Sequence, residues 1–193
     1  IGFYFSENFA QAAAFFGPST KTFRDFFEVQ NFFVFLIAIY VGSGLIAQDR
    51  RANALQIYLS KPLTRLEYIA GKMTILVSFL LLVTWLPAML LLIGQIMLSG
   101  SFTFARANLT LFPAITLYAF VEVLVVAFAV LALSSLTTST RYVAVMFAGV
   151  MFFTDAIYGT LQAISGTTAV SWVSFTASLA QVGDAIFRLP LRY

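Results

Sequence analysis

The sequence predicts an all-α polytopic integral membrane protein, and three observations lead to that class. The chain of 193 residues is 61% apolar, its mean hydropathy is +0.93, and only 10% of its residues are charged. A water-soluble domain of this size needs more charge to cover its surface. Four apolar runs, at residues 31–47, 73–98, 111–134 and 142–164, approach or exceed the roughly 20 residues with which a helix crosses a bilayer. Because these runs lack the alternation typical of membrane strands, we expect four transmembrane helices.

The segment ahead of the first run is predicted to be a loop and an interfacial helix. A turn at residues 17–20 precedes Phe23, Phe26 and Phe27, which recur at helical spacing toward the membrane. Aromatic side chains suit the interface between lipid and water.

The hydrophilic stretch between the first two runs, residues 48–72, is the most informative part of the chain. It holds five of the eleven Lys and Arg residues, against the two acidic residues Asp49 and Glu67. Its basic residues are Arg50, Arg51, Lys61, Arg65 and Lys72. Because short loops rich in Lys and Arg remain in the cytoplasm, this loop is predicted to be cytoplasmic.

Alternation of the helices across the bilayer assigns the remaining segments. The predicted division is an extracytoplasmic loop and interfacial helix at 1–30, a transmembrane part at 31–164 that includes the cytoplasmic loop 48–72, and an extracytoplasmic amphipathic segment at 165–193. The connection at 99–110 is then extracytoplasmic, and the connection at 135–141 is cytoplasmic.

The loop 48–72 is predicted to contain two short helices separated by Pro62, which breaks a helix begun at Arg51. The second helix begins at Thr64, because Thr64 and Glu67 have the spacing of a reciprocal capping box. Leu66 and the apolar residues after it continue at helical spacing into the second run. A displacement at the start of this helix would therefore be transmitted into the membrane. The alternative is that the charges of the loop only anchor the spans at lipid head groups, and the spacing does not decide between them.

An ordered pattern of small, acidic, proline and basic residues runs through positions 44–72. In order, it reads Gly44-Leu45-Ile46-Ala47, Asp49, Leu55, Leu59-Ser60-Lys61-Pro62, Arg65, Glu67-Tyr68 and Gly71-Lys72. This pattern resembles the signature cytoplasmic loop of the permease subunits of type-2 ATP-binding-cassette (ABC) exporters. The order of the other runs extends the resemblance across most of the chain.

The resemblance implies a role, partners and a location. In that family the loop contacts a separate ATP-binding subunit and carries its motion into the membrane, and the permease works with a second copy or a paralogue. The resemblance therefore implies a multi-pass protein of the cell membrane, expected to be a bacterial inner membrane, with outward transport between two permeases. The residues to which it assigns coupling are Asp49, Arg50, Arg51, Pro62, Arg65, Glu67 and Lys72. The family has six spans, so the four visible ones suggest that the chain is a fragment.

The last segment, residues 165–193, is predicted to be an amphipathic helix that lies in the outer interface or dips into it. Apolar residues at steps of three and four form one face: Trp172, Phe175, Leu179, Val182 and Ile186. Polar residues take the other faces: Ser171, Ser174, Ser178 and Gln181. Asp184 and Arg188 are spaced to pair one turn apart.

Two acidic residues lie within the apolar runs. Glu122 is about ten residues from the outer end of its run, roughly 15 Å deep, and Asp155 is nearer the outer surface. A charge at the bilayer centre costs on the order of 2.5–3.5 kcal/mol, so neither is expected to face lipid. They either line a translocation path or make a polar contact between helices.

Several chemistries are excluded or unsupported. The chain has no Cys and no His, which removes disulfides, thiolate or Ser-His-Asp catalysis and most transition-metal sites. Gly71-Lys72 is followed by Met73 rather than Ser or Thr, so the chain lacks a phosphate-binding loop and ATP hydrolysis is expected on a partner. No cofactor, metal or nucleic acid is predicted; the basic charge is explained by the lipid bilayer. Two alternatives stay open: a membrane scaffold or anchor subunit, and an ion-coupled carrier using the two intramembrane acids.

Small residues and prolines complete the prediction. Gly42-Ser43-Gly44 and the group Ala144, Ala148 and Gly149 are expected to allow close helix contact, one of them between permease copies. Pro87 is expected to kink the second span, because it removes a backbone donor at mid-helix.

Overall fold

A computed structural model describes residues 20–54, 64–98, 110–166 and 170–188, and within these ranges every regular element is helical. The elements in chain order are α1 (Thr20–Ile37), a π-helical turn (Ala38–Gly42), α2 (Gly44–Arg51), α3 (Arg65–Leu98), α4 (Leu111–Leu136), α5 (Thr140–Ser165), a 3₁₀ turn (Ser171–Val173) and α6 (Phe175–Ile186). The predicted structure of residues 1–19, and of the rest of the chain between these ranges, lies outside the described residues.

Four helical stretches are long and apolar enough to cross a membrane: Lys21–Arg51, Arg65–Met97, Leu111–Leu136 and Thr140–Ser165. They cover the four predicted runs except for Leu98, which confirms the all-α polytopic class. The first two stretches begin well before their apolar runs, because helix formation continues through amphipathic and charged residues that the hydropathy pattern leaves out. We call the end of the bundle that holds residues 44–51, 64–72 and 134–141 the inner end, after its predicted orientation, and the opposite end the outer end.

The first span is interrupted near its inner end. The π turn between α1 and α2 widens the helix locally. The Ser43 hydroxyl, directly after this turn, donates a hydrogen bond to the backbone carbonyl of Ile39. A Cβ placed on Gly42 would lie 2.6 Å from Val130 Cγ1, so α4 approaches the backbone at this glycine. This confirms the close packing predicted for Gly42. At Gly149 a Cβ would meet no described atom within 4 Å, so the second group of small residues does not serve packing within the chain there.

The most extensive helix pair is α3 against α4, and α1 packs on α3. Two buried clusters fill the bundle. The inner one includes Val34, Ala38, Leu76, Leu80, Val126, Val130 and Phe147, and the outer one includes Phe23, Phe27, Ala88, Ile115, Tyr118 and Phe187.

Pro87 lies inside α3, which continues from Arg65 to Leu98. Because proline has no N–H, the carbonyl of Val83, four residues earlier, loses its helical donor. The buried side chain of Gln30 on α1 supplies one, with Nε2 donating to Val83 O at 2.6 Å. A donor from a neighbouring helix therefore compensates for the proline, while the predicted kink stays a prediction.

The outer segment, residues 170–188, packs on α1, α4 and α5. Of the residues on its apolar face, Leu179 is buried, whereas Trp172 is 76% exposed and Val182 is 39% exposed. The buried side instead includes the polar residues Ser171 and Ser174. The exposed apolar side chains suit a lipid environment, and the predicted place of this segment in the outer interface stays a prediction.

Candidate functional site

The inner ends of α2 and α3 are joined through one carboxylate. Asp49, in the last turn of α2, lies 2.7 Å from Lys72 Nζ and accepts a 2.7 Å hydrogen bond from the Tyr68 hydroxyl, both at Oδ2. Lys72 Nζ also lies 5.6 Å from the centre of the Tyr68 ring, a cation–π distance. The Asp49 and Lys72 side chains are 17% and 20% exposed, so water screens this pair less than a surface pair. We call Asp49, Tyr68 and Lys72 the inner clamp.

The start of α3 is the predicted capping box. Thr64 N donates to Glu67 Oε2 at 2.7 Å, and Glu67 N donates to Thr64 Oγ1 at 3.3 Å. The Thr64 hydroxyl adds a 2.9 Å bond to the same Oε2. The Glu67 carboxylate thus accepts from the backbone N–H of Thr64, and the Thr64 hydroxyl accepts from that of Glu67, so two backbone donors at the helix start are satisfied.

The start of α2 is held by a serine from α4. The buried Ser134 Oγ accepts from Ile46 N at 3.2 Å and from Ala47 N at 3.0 Å, and it donates to Ser43 O at 2.9 Å. In addition, the Arg50 guanidinium donates to the carbonyl of Ser135. These bonds connect α2 to the inner end of α4, so the inner ends of three helices form one hydrogen-bonded unit.

The surface around this unit is basic with apolar patches. Arg51 and Arg65 are exposed, and beside Arg65 the side chains of Leu66 and Ile69 are 79% and 46% exposed. Arg51 also lines a shallow depression with Arg141 and the residues of the second inner turn, Thr138, Ser139 and Thr140. Such a mixture of exposed arginine and apolar side chains is typical of protein interfaces.

A comparison with protein families identifies the family of the chain. A family model described as ABC-2 family transporter protein matches residues 5–182. The chain belongs to this family. The resemblance found in residues 44–72 is therefore confirmed, and the chain is a membrane permease of an ABC transporter. No curated protein and no solved structure matches it significantly.

Not every predicted coupling residue of this ABC-2 permease can be placed. Asp49, Arg50, Arg51, Arg65, Glu67 and Lys72 lie together at the inner end, whereas Pro62 falls outside the described residues. The pattern did not single out Ser134 or Arg141. The only sequence signal for Ser134 is its place at the inner end of an apolar run, where a hydroxyl reaches a helix end.

The two intramembrane acids have different surroundings. Glu122 is fully buried in α4, and neither of its carboxylate oxygens has a hydrogen-bond partner among the described residues. Asp155 accepts hydrogen bonds at Oδ1 from Ser174 Oγ at 2.5 Å and from Thr176 Oγ1 at 2.6 Å, which tie α5 to the outer segment. Asp184 pairs with Arg24 of α1 at 3.0 Å, a partner that the spacing to Arg188 did not predict.

The described part of the permease offers no metal site. Residues 20–54, 64–98, 110–166 and 170–188 contain no group of three or more metal-binding side chains arranged around one point.

Proposed function

We propose that this ABC-2 permease is the membrane-spanning subunit of an exporter and that residues 48–72 couple it to a separate ATP-binding subunit. The observation that carries the proposal is the inner clamp, because it joins the two helices that flank the loop directly to each other. The chain has no phosphate-binding loop, so the proposal assigns ATP hydrolysis to the partner.

The proposed transmission starts at the exposed first turn of α3. This helix has 34 residues, which at about 1.5 Å per residue gives a length of roughly 51 Å. A displacement of Arg65 therefore moves a helix that extends through the bilayer. The bonds of Asp49 to Tyr68 and Lys72 make α2 follow α3, and Ser134 makes the inner end of α4 follow α2.

The proposed docking surface consists of Arg51, Arg65, Arg141, Leu66 and Ile69. Its partner is expected to present carboxylates around an apolar groove, since the arginines supply charge and orientation while Leu66 and Ile69 supply apolar area. The capping box has a supporting role here, because it stabilises the start of the helix that carries Arg65, Leu66 and Ile69.

The complete exporter is proposed to contain two permeases and two ATP-binding subunits in a bacterial inner membrane. The second permease is another copy of this chain or a paralogue, and the route for the transported molecule runs between the two. The bilayer-facing side chains that a second permease would cover include Val145, Phe152 and Phe153 beside Gly149, which form a shallow apolar groove on α5.

The test of the docking surface uses the absence of natural cysteine. Leu66→Cys places a single thiol on the proposed surface, and Ile164→Cys places one at the outer end, where Ile164 is 84% exposed. Each variant is crosslinked with a short thiol–amine reagent in membranes that contain the whole transporter. We expect the first thiol to capture an ATP-binding subunit and the second to capture none. Equal capture by both, or capture by neither from an intact complex, contradicts the coupling role.

A further inference from the structure

Three buried polar side chains lie between the two apolar clusters of the bundle, one on each of three helices. Gln30 on α1 is 6% exposed, and Thr84 on α3 and Glu122 on α4 are fully buried. On each helix, a buried residue about one turn away belongs to the outer cluster on one side and to the inner cluster on the other. These flanking pairs are Phe27 and Val34, Ala88 and Leu80, and Tyr118 and Val126. We call Gln30, Thr84 and Glu122 the polar layer.

The hydrogen bonds of the polar layer leave acceptors without donors. The Thr84 hydroxyl donates to Leu80 O at 2.9 Å, and the Gln30 amide donates to Val83 O at 2.6 Å. Gln30 Oε1 and both carboxylate oxygens of Glu122 have no hydrogen-bond partner among the described residues. An ionised Glu122 would therefore place an unsatisfied charge among apolar side chains, which costs much more than burying a neutral carboxylic acid.

The part of the chain that the structure describes has no cation to compensate Glu122 at this depth. Lys and Arg are absent from the helical stretches around it, residues 29–48, 73–98, 111–136, 142–165 and 175–186. The titratable groups of these stretches between the two ends of the bundle are acidic or phenolic: Glu28 just before the first of them, Tyr40, Tyr118, Asp155 and Tyr158. At the outer end Arg24 is paired with Asp184. At the inner end Lys72 is paired with Asp49. Protonation is therefore the way in which Glu122 can lose its charge.

Gln30 and Glu122 lie on facing sides of α1 and α4. The ring centres of Phe27 and Tyr118 are 4.8 Å apart, so these two positions face each other. The two helices run in the same direction, since a second contact joins α4 to the π turn that follows α1. Gln30 is three residues after Phe27 and Glu122 is four residues after Tyr118, on the same faces and roughly 4.5 and 6 Å further toward the inner end. Because neighbouring helices are about 8–10 Å apart, side chains of this length can meet between them.

We propose that Glu122 is a proton-binding site that is occupied at neutral pH, and that its O–H group donates to Oε1 of Gln30. The proton removes the charge of Glu122 and supplies the donor that Gln30 Oε1 lacks. Together with the bond from Gln30 to Val83, it joins α4, α1 and α3 through uncharged groups. Glu122 then serves a contact between helices rather than a translocation path. The site is separate from residues 48–72, so it does not depend on the docking of an ATP-binding subunit.

Infrared spectroscopy of the full chain in lipid nanodiscs at neutral pH tests the proton directly. A protonated carboxyl group has a C=O band at a higher frequency than the bands of a carboxylate. We expect this band in the parent and its loss in Glu122→Gln. Glu28→Gln is the matched control, because it makes the same change at an exposed glutamate, and it should leave the band in place.

Two further spectra keep this test decisive. Heavy-carbon labelling of the glutamate carboxyl groups shifts the band of the parent without any substitution, so the test does not depend on the folding of Glu122→Gln. Absence of a protonated band in the labelled parent overturns the proposal. Gln30→Leu removes the acceptor and should move the band to the higher frequency of a carboxyl group without a hydrogen bond. An unshifted band would overturn the assignment of Gln30 as the acceptor.

The pH dependence of stability is an independent test. The folded chain keeps a proton that a glutamate in the unfolded chain releases above about pH 4.3, so this site makes stability fall as the pH rises. Between about pH 6 and 8, the folding equilibrium of the parent should weaken about tenfold per pH unit relative to that of Glu122→Gln, whose amide binds no proton. Glu28→Gln should follow the parent. The same pH dependence in the parent and in Glu122→Gln would overturn the proton site.

Discussion

The two ends of the bundle use polar groups in different ways. At the inner end, Asp49 is matched by Lys72, and the backbone donors of two helix starts are satisfied by Ser134 and Glu67. At the outer end, the contacts join residues far apart in the chain: the Arg24 guanidinium lies 3.0 Å from the buried Asp184 carboxylate, and Ser174 and Thr176 donate to Asp155. Bonds between neighbouring helix ends suit the proposed joint movement of the inner end, whereas bonds between distant residues fix the outer segment to the bundle.

Stability should depend more on the Arg24–Asp184 pair at the outer end than on the Asp49–Lys72 pair at the inner end. Arg24→Leu leaves the buried Asp184 carboxylate without its guanidinium, and we expect a loss of about 3 kcal/mol in stability. Thermal unfolding in detergent measures the effect. The double variant with Asp184→Leu should recover much of the loss, because no buried charge remains. A single variant as stable as the parent would show that the pair is not buried in the folded protein.

The contact between Gln30 and Val83 should give the second largest loss of stability when it is removed. Gln30→Leu leaves the Val83 carbonyl without a donor, which is expected to cost about 2 kcal/mol. Pro87→Ala restores the backbone N–H four residues later, so it should rescue the Gln30→Leu variant when the two are combined. Thermal unfolding of the two single variants and the double variant gives the coupling between the sites. Additive losses would mean that Gln30 does not replace the donor that Pro87 lacks.

The inner clamp should contribute less to stability and more to coupling. Asp49→Ala removes a partly exposed pair, for which we expect a loss of about 1 kcal/mol. ATP-driven transport in proteoliposomes should fall much more, because α2 no longer follows α3. Tyr68→Phe, which keeps the Asp49–Lys72 pair, serves as the milder control. Normal transport by Asp49→Ala would remove the clamp from the proposed mechanism.

The smallest effect is expected at the helix start. Thr64→Ala removes the capping side chain of α3 at a cost of about 1 kcal/mol or less, confined to the first turn. Hydrogen exchange of the amides at residues 65–67 should accelerate. Thr74→Ala on the same helix, where the hydroxyl bonds only to the carbonyl of Ala70, should leave these amides unchanged. Equal exchange in both variants would argue against the cap.

Local signals allowed much of the inner end to be predicted. Thr64 and Glu67 are three residues apart, so their spacing alone specifies the capping box, and the density of basic residues identified the loop. The bond from Ser134 to the start of α2 joins residues 87 and 88 apart, and no local pattern encodes it. The π turn at Ala38–Gly42, where α4 lies close to Gly42, was likewise not predicted from the sequence.

The outer end was harder to predict for a related reason. Asp184 has Arg188 one turn away in the sequence, but it pairs with Arg24, which is 160 residues distant. The period of the outer segment identified its apolar stripe but not what the stripe faces, because a helical period identifies a face and not its surroundings. In a membrane, an apolar side chain such as Trp172 is stable at the outside of the protein, and the buried side can be polar.

The bond between Gln30 and Val83 also bears on how the chain is assembled. In hydrocarbon an unsatisfied carbonyl costs several kcal/mol, so α3 on its own, with Pro87 inside it, is unfavourable in lipid. The residues of α1 precede those of α3 in the chain, so the amide of Gln30 has already been synthesised when Val83 enters the bilayer. The first two spans are therefore expected to leave the insertion machinery as a pair, before the third span is complete.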